Sequence, residues 1–90
     1  MKIELRKDNC VFTSRFKREF NKLEFNDQKN IRSKLNEIFK NPEKALIKKL
    51  TNYNLAKYRL RIGHFRLLFL EDRKKKKWVF AACKKRKDLY

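Results

Sequence analysis

The sequence has little glycine or proline, with one residue of each among its 90. Flexible linkers and low-complexity tails need far more of both, so these classes are excluded. A chain of this length has room for one small core, since a domain of about 60–150 residues hides only ~60–70% of its unfolded surface. We therefore expect a single domain over residues 1–90, built around its 41% hydrophobic residues.

Long apolar segments are also missing. The longest run is W-V-F-A-A-C at 78–83, whereas a membrane-spanning helix needs about 20 apolar residues. The first residues, M-K-I-E-L-R-K-D-N, lack the apolar stretch of a secretory signal. We expect a cytoplasmic protein that does not contact a membrane.

Residues that bind metals are few. His64 is the only histidine, and Cys10 and Cys83 do not have the C-x-x-C spacing of a metal site. Both cysteines are expected to be reduced and buried, as is usual in the cytosol. The sequence predicts neither a metal nor a cofactor.

Acidic residues are scarce, because 10 Asp and Glu face 27 Lys and Arg, for a net charge of +17. Residues 1–45 hold 12 basic and 7 acidic side chains, and residues 46–90 hold 15 and 3. Such an excess of one sign favours a polyanionic partner, with nucleic acid the leading candidate. The C-terminal half is the predicted binding half.

A strand and a helix are predicted first. Weak alternation of apolar residues favours a strand within 2–12, with a turn signal at Asp8-Asn9. Thr13 or Ser14 can cap the helix that follows. Its apolar stripe is Phe16, Phe20 and Leu23.

A second helix is predicted from a cap at Asn26 or Asp27. It ends at Asn41-Pro42, because the residue before proline avoids helical backbone angles. One helical turn and a connector at Thr51–Asn54 are expected within 43–54.

From Lys57 onward the apolar period changes to two, which predicts strands. Gly63-His64 is a turn that joins one strand to the next, at 65–71. After the loop Asp72–Lys77, the run at 78–83 is apolar on both faces and suits a central strand. The hairpin sends one set of side chains toward the helices: Tyr58, Leu60, Ile62, Phe65, Leu67 and Phe69.

These elements predict a two-layer α+β fold of order β-α-α-β-β-β, in which the helical hairpin packs on one face of a twisted antiparallel sheet. The other face is expected to be open, with Arg61 directly opposite Arg66 and with Leu68 and Leu70 as the floor of a groove. Opposed like charges cost about 0.2–1 kcal/mol per pair. A bound anion would remove that cost, although a solvated basic face remains the alternative.

The segment K-L-T-N-Y-N-L-A-K-Y-R-L-R-I-G-H-F-R-L-L-F at 49–69, together with K-K-R-K-D-L-Y at 84–90, resembles the RelE/ParE toxin superfamily. The likeness is to its RelE-type messenger-RNA interferases. It implies a ribosome-dependent, metal-independent endoribonuclease that cuts mRNA in the A site and leaves a 2′,3′-cyclic phosphate and a 5′-hydroxyl. It also implies a cognate antitoxin that forms a hetero-oligomer with the toxin.

The resemblance assigns catalytic roles residue by residue, to Lys57, Arg59, Arg66, Lys84 and Tyr90. Arginines suit neutralisation of a pentacoordinate phosphate, and Lys57 and Tyr90 suit proton transfer. The Tyr90 ring can also stack on a base. A neighbour of Lys84 in the basic run could fill its position instead.

Other basic residues are expected to bind RNA without taking part in chemistry. His64 is expected to be a solvated turn residue. Two alternatives remain open, a ParE-like inhibitor of DNA gyrase and a non-catalytic RNA-binding module. The predicted RNA-binding residues are Arg61, Arg73, Lys74, Lys75, Lys76, Lys77, Lys85, Arg86 and Lys87.

Overall fold

The computed structural model describes residues 2–88. Short 3-10 turns lie at Lys7–Asn9, Pro42–Lys44 and Arg86–Asp88. Within the described residues, no helix is both long and apolar enough to cross a membrane. The helices and strands are β1 (Cys10–Phe12), α1 (Ser14–Asn21), α2 (Phe25–Lys40), β2 (Leu46–Lys49), β3 (Tyr58–Ile62), β4 (Phe65–Asp72) and β5 (Lys77–Lys85).

The strands form one five-stranded sheet in the order β1-β5-β4-β3-β2. Neighbours are antiparallel except that β1 runs parallel to β5, with Cys10 opposite Trp78. The predicted α+β class and the central place of β5 are confirmed. The sheet is mixed and gains a fifth strand, β2, because pairing between distant segments leaves no trace in local sequence pattern.

Helix α1 begins as predicted, with the Thr13 hydroxyl accepting a hydrogen bond of 3.1 Å from the Phe16 amide. Helix α2 begins earlier than predicted. Its N-cap is Glu24, and the amide of Gln28 already donates to the Glu24 carbonyl at 3.0 Å. The predicted caps Asn26 and Asp27 therefore lie inside the first turn.

The segment after α2 differs from the prediction of a helical turn within 43–54. Only Pro42–Lys44 turns, and Leu46–Lys49 is an edge strand paired with β3. The sequence L-I-K-K of this strand does not alternate between apolar and polar residues, because Leu46 is apolar although it is 63% exposed, while Ile47 packs on the core. The strand was therefore not predicted.

The core lies between the helices and one face of the sheet. The predicted hairpin register is confirmed, with Leu60 opposite Leu67 and Ile62 opposite Phe65. Phe69 stacks on Phe80 with ring centroids 4.9 Å apart. The buried residues of this core are Leu5, Phe16, Ile31, Leu35, Ile38, Leu60, Ile62, Phe65, Leu67, Phe69, Trp78, Phe80 and Cys83.

A bulge in β5 resets its alternation. Leu68 pairs with Ala82 and Phe69 with Phe80, which leaves Ala81 as the extra residue. Phe80 and Cys83 therefore both face the helical core, although they are three residues apart. The bulge also puts Ala82 on the opposite face of the sheet.

That opposite face is only partly open, which corrects the sequence expectation. Leu68 and Ala82 are fully buried beneath the connector 50–57, whose residues Leu50 and Leu55 pack on them. Leu68 thus belongs to a second small core and does not form the floor of a groove. The open part of the face lies toward the β3–β4 turn.

Candidate nucleic-acid interface

A cleft of about 1010 Å³ lies between the β3–β4 turn and the end of β5. Of the seven residues within 2–88 that line it, six are Lys or Arg and none is acidic. We call it the arginine cleft. It is lined by Arg59, Arg61, His64, Arg66, Lys85, Arg86 and Lys87.

Sheet register brings these charges together. Arg61 lies directly opposite Arg66, and Arg66 lies directly opposite Lys84. Adjacent strands are about 4.8 Å apart, so the backbones of these three residues form a row across three strands. The Lys84 side chain leaves that row and reaches a carboxylate on α1. Within the described part of the chain, no acidic side chain lines the cleft beside Arg61 and Arg66.

Arg66 is held more firmly than a solvated groove residue would be. It is only 5% exposed, and its Nη1 donates hydrogen bonds of 3.0 Å to the carbonyls of Gly63 and Phe65. Arg61, its partner in the register, is exposed. The cleft therefore combines a buried, hydrogen-bonded cation with an exposed one.

The β3–β4 turn is tied to the end of β5. The amide of Arg86 donates to the carbonyl of His64 at 2.8 Å. Gly63 has a φ of +56°, in the left-handed region that glycine adopts without strain. His64 is an exposed turn residue, as predicted, and its ring lines the cleft.

Lys84 contacts a carboxylate on α1 instead of lining the cleft. Its Nζ lies 2.5 Å from Oε2 of Glu19, which Arg15 also approaches at 3.5 Å. The other oxygen of Glu19 accepts a bond of 2.9 Å from the Cys83 amide. Partial burial raises the pKa of Glu19, but the bonds from Lys84 and Cys83 and the charges of Lys84 and Arg15 outweigh it and hold the pKa below its ordinary value.

Sequence reasoning did not identify Glu19. Only its i, i+4 spacing from Arg15 was visible in the sequence, and its contacts with Cys83 and Lys84 join residues far apart in the chain. This carboxylate fixes the end of β5 against α1, just before the residues that line the cleft.

Of the two remaining predicted catalytic residues, Lys57 is described and lies outside the lining of the cleft. Lys57 directly precedes β3 and is exposed, with its amide donating to Phe69 and its carbonyl accepting from Leu50. It does not line the arginine cleft. Tyr90 lies outside the described residues.

The basic loop after β4 forms a separate patch. It lies beyond the far end of β4, whose last residue, Asp72, is four residues from Leu68, the register partner of the cleft residue Arg59. This separation is about 13 Å at ~3.3 Å per residue. Lys77 donates from its ammonium to the carbonyl of Asp8, and Arg73 lies 3.7 Å from Glu71. The predicted RNA-binding residues therefore fall into two groups. Residues 73–76 lie in this loop, with Lys77 beside them at the start of β5, and the cleft holds Arg61, Lys85, Arg86 and Lys87.

The two thiols are free and are not placed for nucleophilic chemistry. Burial raises the pKa of Cys10 and of Cys83 to about 12, so both stay protonated near neutral pH. Cys83 is buried and Cys10 only half-buried. Among residues 2–88, no three His, Cys, Asp or Glu side chains cluster as metal ligands would.

The sequence matches no protein-family model and no curated protein. Solved structures do match. A RelB–RelE antitoxin–toxin complex from Methanococcus jannaschii has a chain 23% identical, with 89% of this chain and 94% of that chain covered and a TM-score of 0.66.

Two further complexes agree. For the toxin–antitoxin complex RelBE2 of Mycobacterium tuberculosis, the identity is 20%, the match covers 87% of this chain and 96% of that chain, and the TM-score is 0.68. For the RelE–RelB complex of Pyrococcus horikoshii these values are 18%, 93% and 97%, and 0.62. The chain therefore has a RelE-like fold over nearly its whole length.

Proposed function

We propose that this protein is the toxin of a toxin–antitoxin module and acts as an endoribonuclease that cuts mRNA in the ribosomal A site. The observation that carries the proposal is the arginine cleft, where six Lys and Arg side chains converge. The RelE-like fold supports it, since the matched structures are toxin–antitoxin complexes.

The charge of the cleft suits an RNA backbone. Several cations on one open surface neutralise successive phosphates and release counterions, which makes binding steeply salt-dependent. Four of the lining residues are arginines, whose planar guanidinium groups form paired hydrogen bonds with phosphate oxygens.

The proposed reaction is attack of a ribose 2′-hydroxyl on the adjacent phosphate. The 2′-oxygen forms a bond to phosphorus, the bond to the 5′-oxygen breaks, and a 2′,3′-cyclic phosphate and a 5′-hydroxyl result. Arg59 and Arg66 neutralise the pentacoordinate phosphate. Because Arg66 is already fixed by two backbone carbonyls, little reorganisation is needed as charge develops.

Two proton transfers accompany this step. One group removes the proton of the 2′-hydroxyl and another protonates the leaving 5′-oxygen. We assign these transfers to Tyr90 and to Lys57, which is exposed and lies two residues before the cleft residue Arg59. We assign further phosphate contacts to Lys84 and Arg86. No step requires a metal ion, since cationic side chains balance the phosphate charge.

The distant basic loop supports dependence on the ribosome. Arg73, Lys74, Lys75 and Lys76 are exposed and too far from the cleft to touch the same phosphate. They are suited to phosphates of ribosomal RNA, which would orient the cleft over the A-site codon.

A net charge of +17 favours a partner of opposite charge that covers the protein when it is inactive. We propose a cognate antitoxin whose acidic or amphipathic segment lies across or beside the arginine cleft. Co-expression with a small acidic protein encoded beside its gene should yield a complex that does not cleave mRNA, and the absence of any such partner gene would count against the module.

Single-turnover cleavage of mRNA on programmed ribosomes tests the activity. Arg59→Gln should slow cleavage at least 100-fold, the effect expected when one preorganised donor to a developing charge is lost. Arg18→Gln is the matched control, because it removes the same charge from an exposed position on α1. Equal rates for Arg59→Gln and the parent would refute the assignment.

The same preparations separate the alternatives. A ParE-like protein would inhibit supercoiling by DNA gyrase and leave mRNA intact. A non-catalytic module would bind RNA with the same salt dependence and produce no new RNA ends.

A further inference from the structure

A second cavity, of about 440 Å³, adjoins the arginine cleft on the side of β2. It is formed by the end of β2 and the connector 50–57, and we call it the connector pocket. Arg59 lines both cavities, so they meet at one side chain. The other residues of the pocket are Lys48, Lys49, Leu50, Thr51, Asn52 and Tyr53.

The connector has a defined anchorage. The Leu50 amide donates to the Lys57 carbonyl at 2.8 Å, which closes its base. Leu50 and Leu55 pack on the small core around Leu68. Asn52 has a φ of 56°, a left-handed conformation that asparagine tolerates better than most residues. The tip of the connector is therefore a bend on an anchored base.

The tip presents an aromatic ring beside cations. Tyr53 is 37% exposed, and Lys48 lies directly opposite Arg59 in the β2–β3 register. No acidic residue among 2–88 lines the pocket. An exposed ring with nearby cations and amide or hydroxyl groups is the usual arrangement for an unpaired nucleotide, whose base stacks while its phosphate is neutralised. The volume lies within the range of about 300–1,000 Å³ typical of small-ligand sites.

We propose that the connector pocket binds one unpaired nucleotide of the RNA strand whose cleaved phosphate occupies the arginine cleft. Its base stacks on Tyr53, and Arg59 and Lys48 contact its phosphate. The inference rests on the proposed function and adds a substrate subsite to it. A base-paired nucleotide does not fit, because its faces are covered by its neighbours in the helix.

The first test measures affinity for short single-stranded 2′-O-methyl RNA, which lacks the attacking hydroxyl. Tyr53→Ala should weaken binding about tenfold, equivalent to about 1.4 kcal/mol and typical of one lost base stack. Tyr53→Phe keeps the ring and should bind within about twofold of the parent. Phe25→Ala is the matched control, since this aromatic residue is 74% exposed and lines neither cavity.

The second test locates the nucleotide. An abasic site is moved along the RNA, and each version is bound to the parent and to Tyr53→Ala. At one position the missing base should weaken binding to the parent while having little further effect on Tyr53→Ala, because both changes remove the same stack. Thermal unfolding of Tyr53→Ala at the parental temperature would show that the fold is intact.

Failure of the subsite is distinguishable from failure of the function. Parental affinity in Tyr53→Ala, with weakened binding in Arg59→Gln, would overturn the subsite alone. Additive effects at every abasic position would also overturn it. If Tyr53→Ala weakened binding to ribosomes but not to free RNA, Tyr53 would contact ribosomal RNA, and the subsite proposal would again be overturned. A parent protein that binds no RNA would overturn both the subsite and the proposed function.

Discussion

Replacement of Arg66 by alanine sets two opposing effects against each other. The change removes one member of the Arg61–Arg66 pair, which relieves repulsion between like charges. It also removes two hydrogen bonds of 3.0 Å to the carbonyls of Gly63 and Phe65. The sequence alone suggests that the first effect dominates, and the geometry suggests the second.

The magnitudes favour destabilisation. Relief of the opposed charges is worth about 0.2–1 kcal/mol, while each hydrogen bond from a charged donor contributes about 1.5–3 kcal/mol. Water can replace the bond at Gly63, because that residue is exposed, so the two bonds do not count in full. We expect Arg66→Ala to lower the free energy of unfolding by about 2 kcal/mol, or the melting temperature by roughly 8–16 °C.

Arg61→Ala is the matched control, since it relieves the same repulsion from the exposed side of the pair. It should leave stability unchanged or raise it by up to about 1 kcal/mol. Urea unfolding of both variants measures the difference, and both should reduce the salt dependence of RNA binding by about 0.7 per lost phosphate contact. An Arg66→Ala protein as stable as the parent would refute the structural role of this arginine.

Three further predictions concern the surroundings of the cleft. The pKa of Glu19 is lower in the folded chain, so ionised Glu19 stabilises the fold above about pH 4.3, and this stabilisation is lost as the pH falls through the folded pKa. The free energies of unfolding of the parent and of Glu19→Gln should therefore approach each other on acidification, which urea unfolding at several pH values would measure. Arg86→Ala should weaken RNA binding more than Lys84→Ala, since Glu19 already compensates the charge of Lys84; equal losses in a binding assay would contradict this. His64→Ala should leave the cleavage rate within about threefold, and an inactive variant would make the turn histidine a catalytic residue.

The sequence pattern predicted those features of the fold that depend on contacts between residues close together in the chain. The hairpin register followed from the period-two alternation and the glycine turn, and the structure confirms Arg61 opposite Arg66. The start of α1 followed from the capping hydroxyl of Thr13. The convergence of Arg59, Arg61 and Arg66, half of the described cations of the cleft, was predictable because the hairpin register fixes which side chains share a face.

The features that the sequence did not predict depend on contacts between residues far apart in the chain. The parallel pairing of β1 with β5, the burial of Leu68 by the connector and the ion pair of Glu19 with Lys84 each join segments whose partners the sequence does not reveal. Arg66 is buried because two turn carbonyls lie within its reach. A prediction from apolar periodicity assigns every arginine to the surface, so it could not identify Arg66 as buried.

The chemistry of the RNA ends tests the central claim most directly. The protein is incubated with ribosomes that hold a defined codon in the A site, and the end groups of the mRNA are identified by mass spectrometry. We predict one cut within that codon, with a 2′,3′-cyclic phosphate upstream and a 5′-hydroxyl downstream, and no cut by Arg59→Gln on the same timescale. Intact mRNA, or ends that carry a 3′-hydroxyl and a 5′-phosphate, would contradict the account.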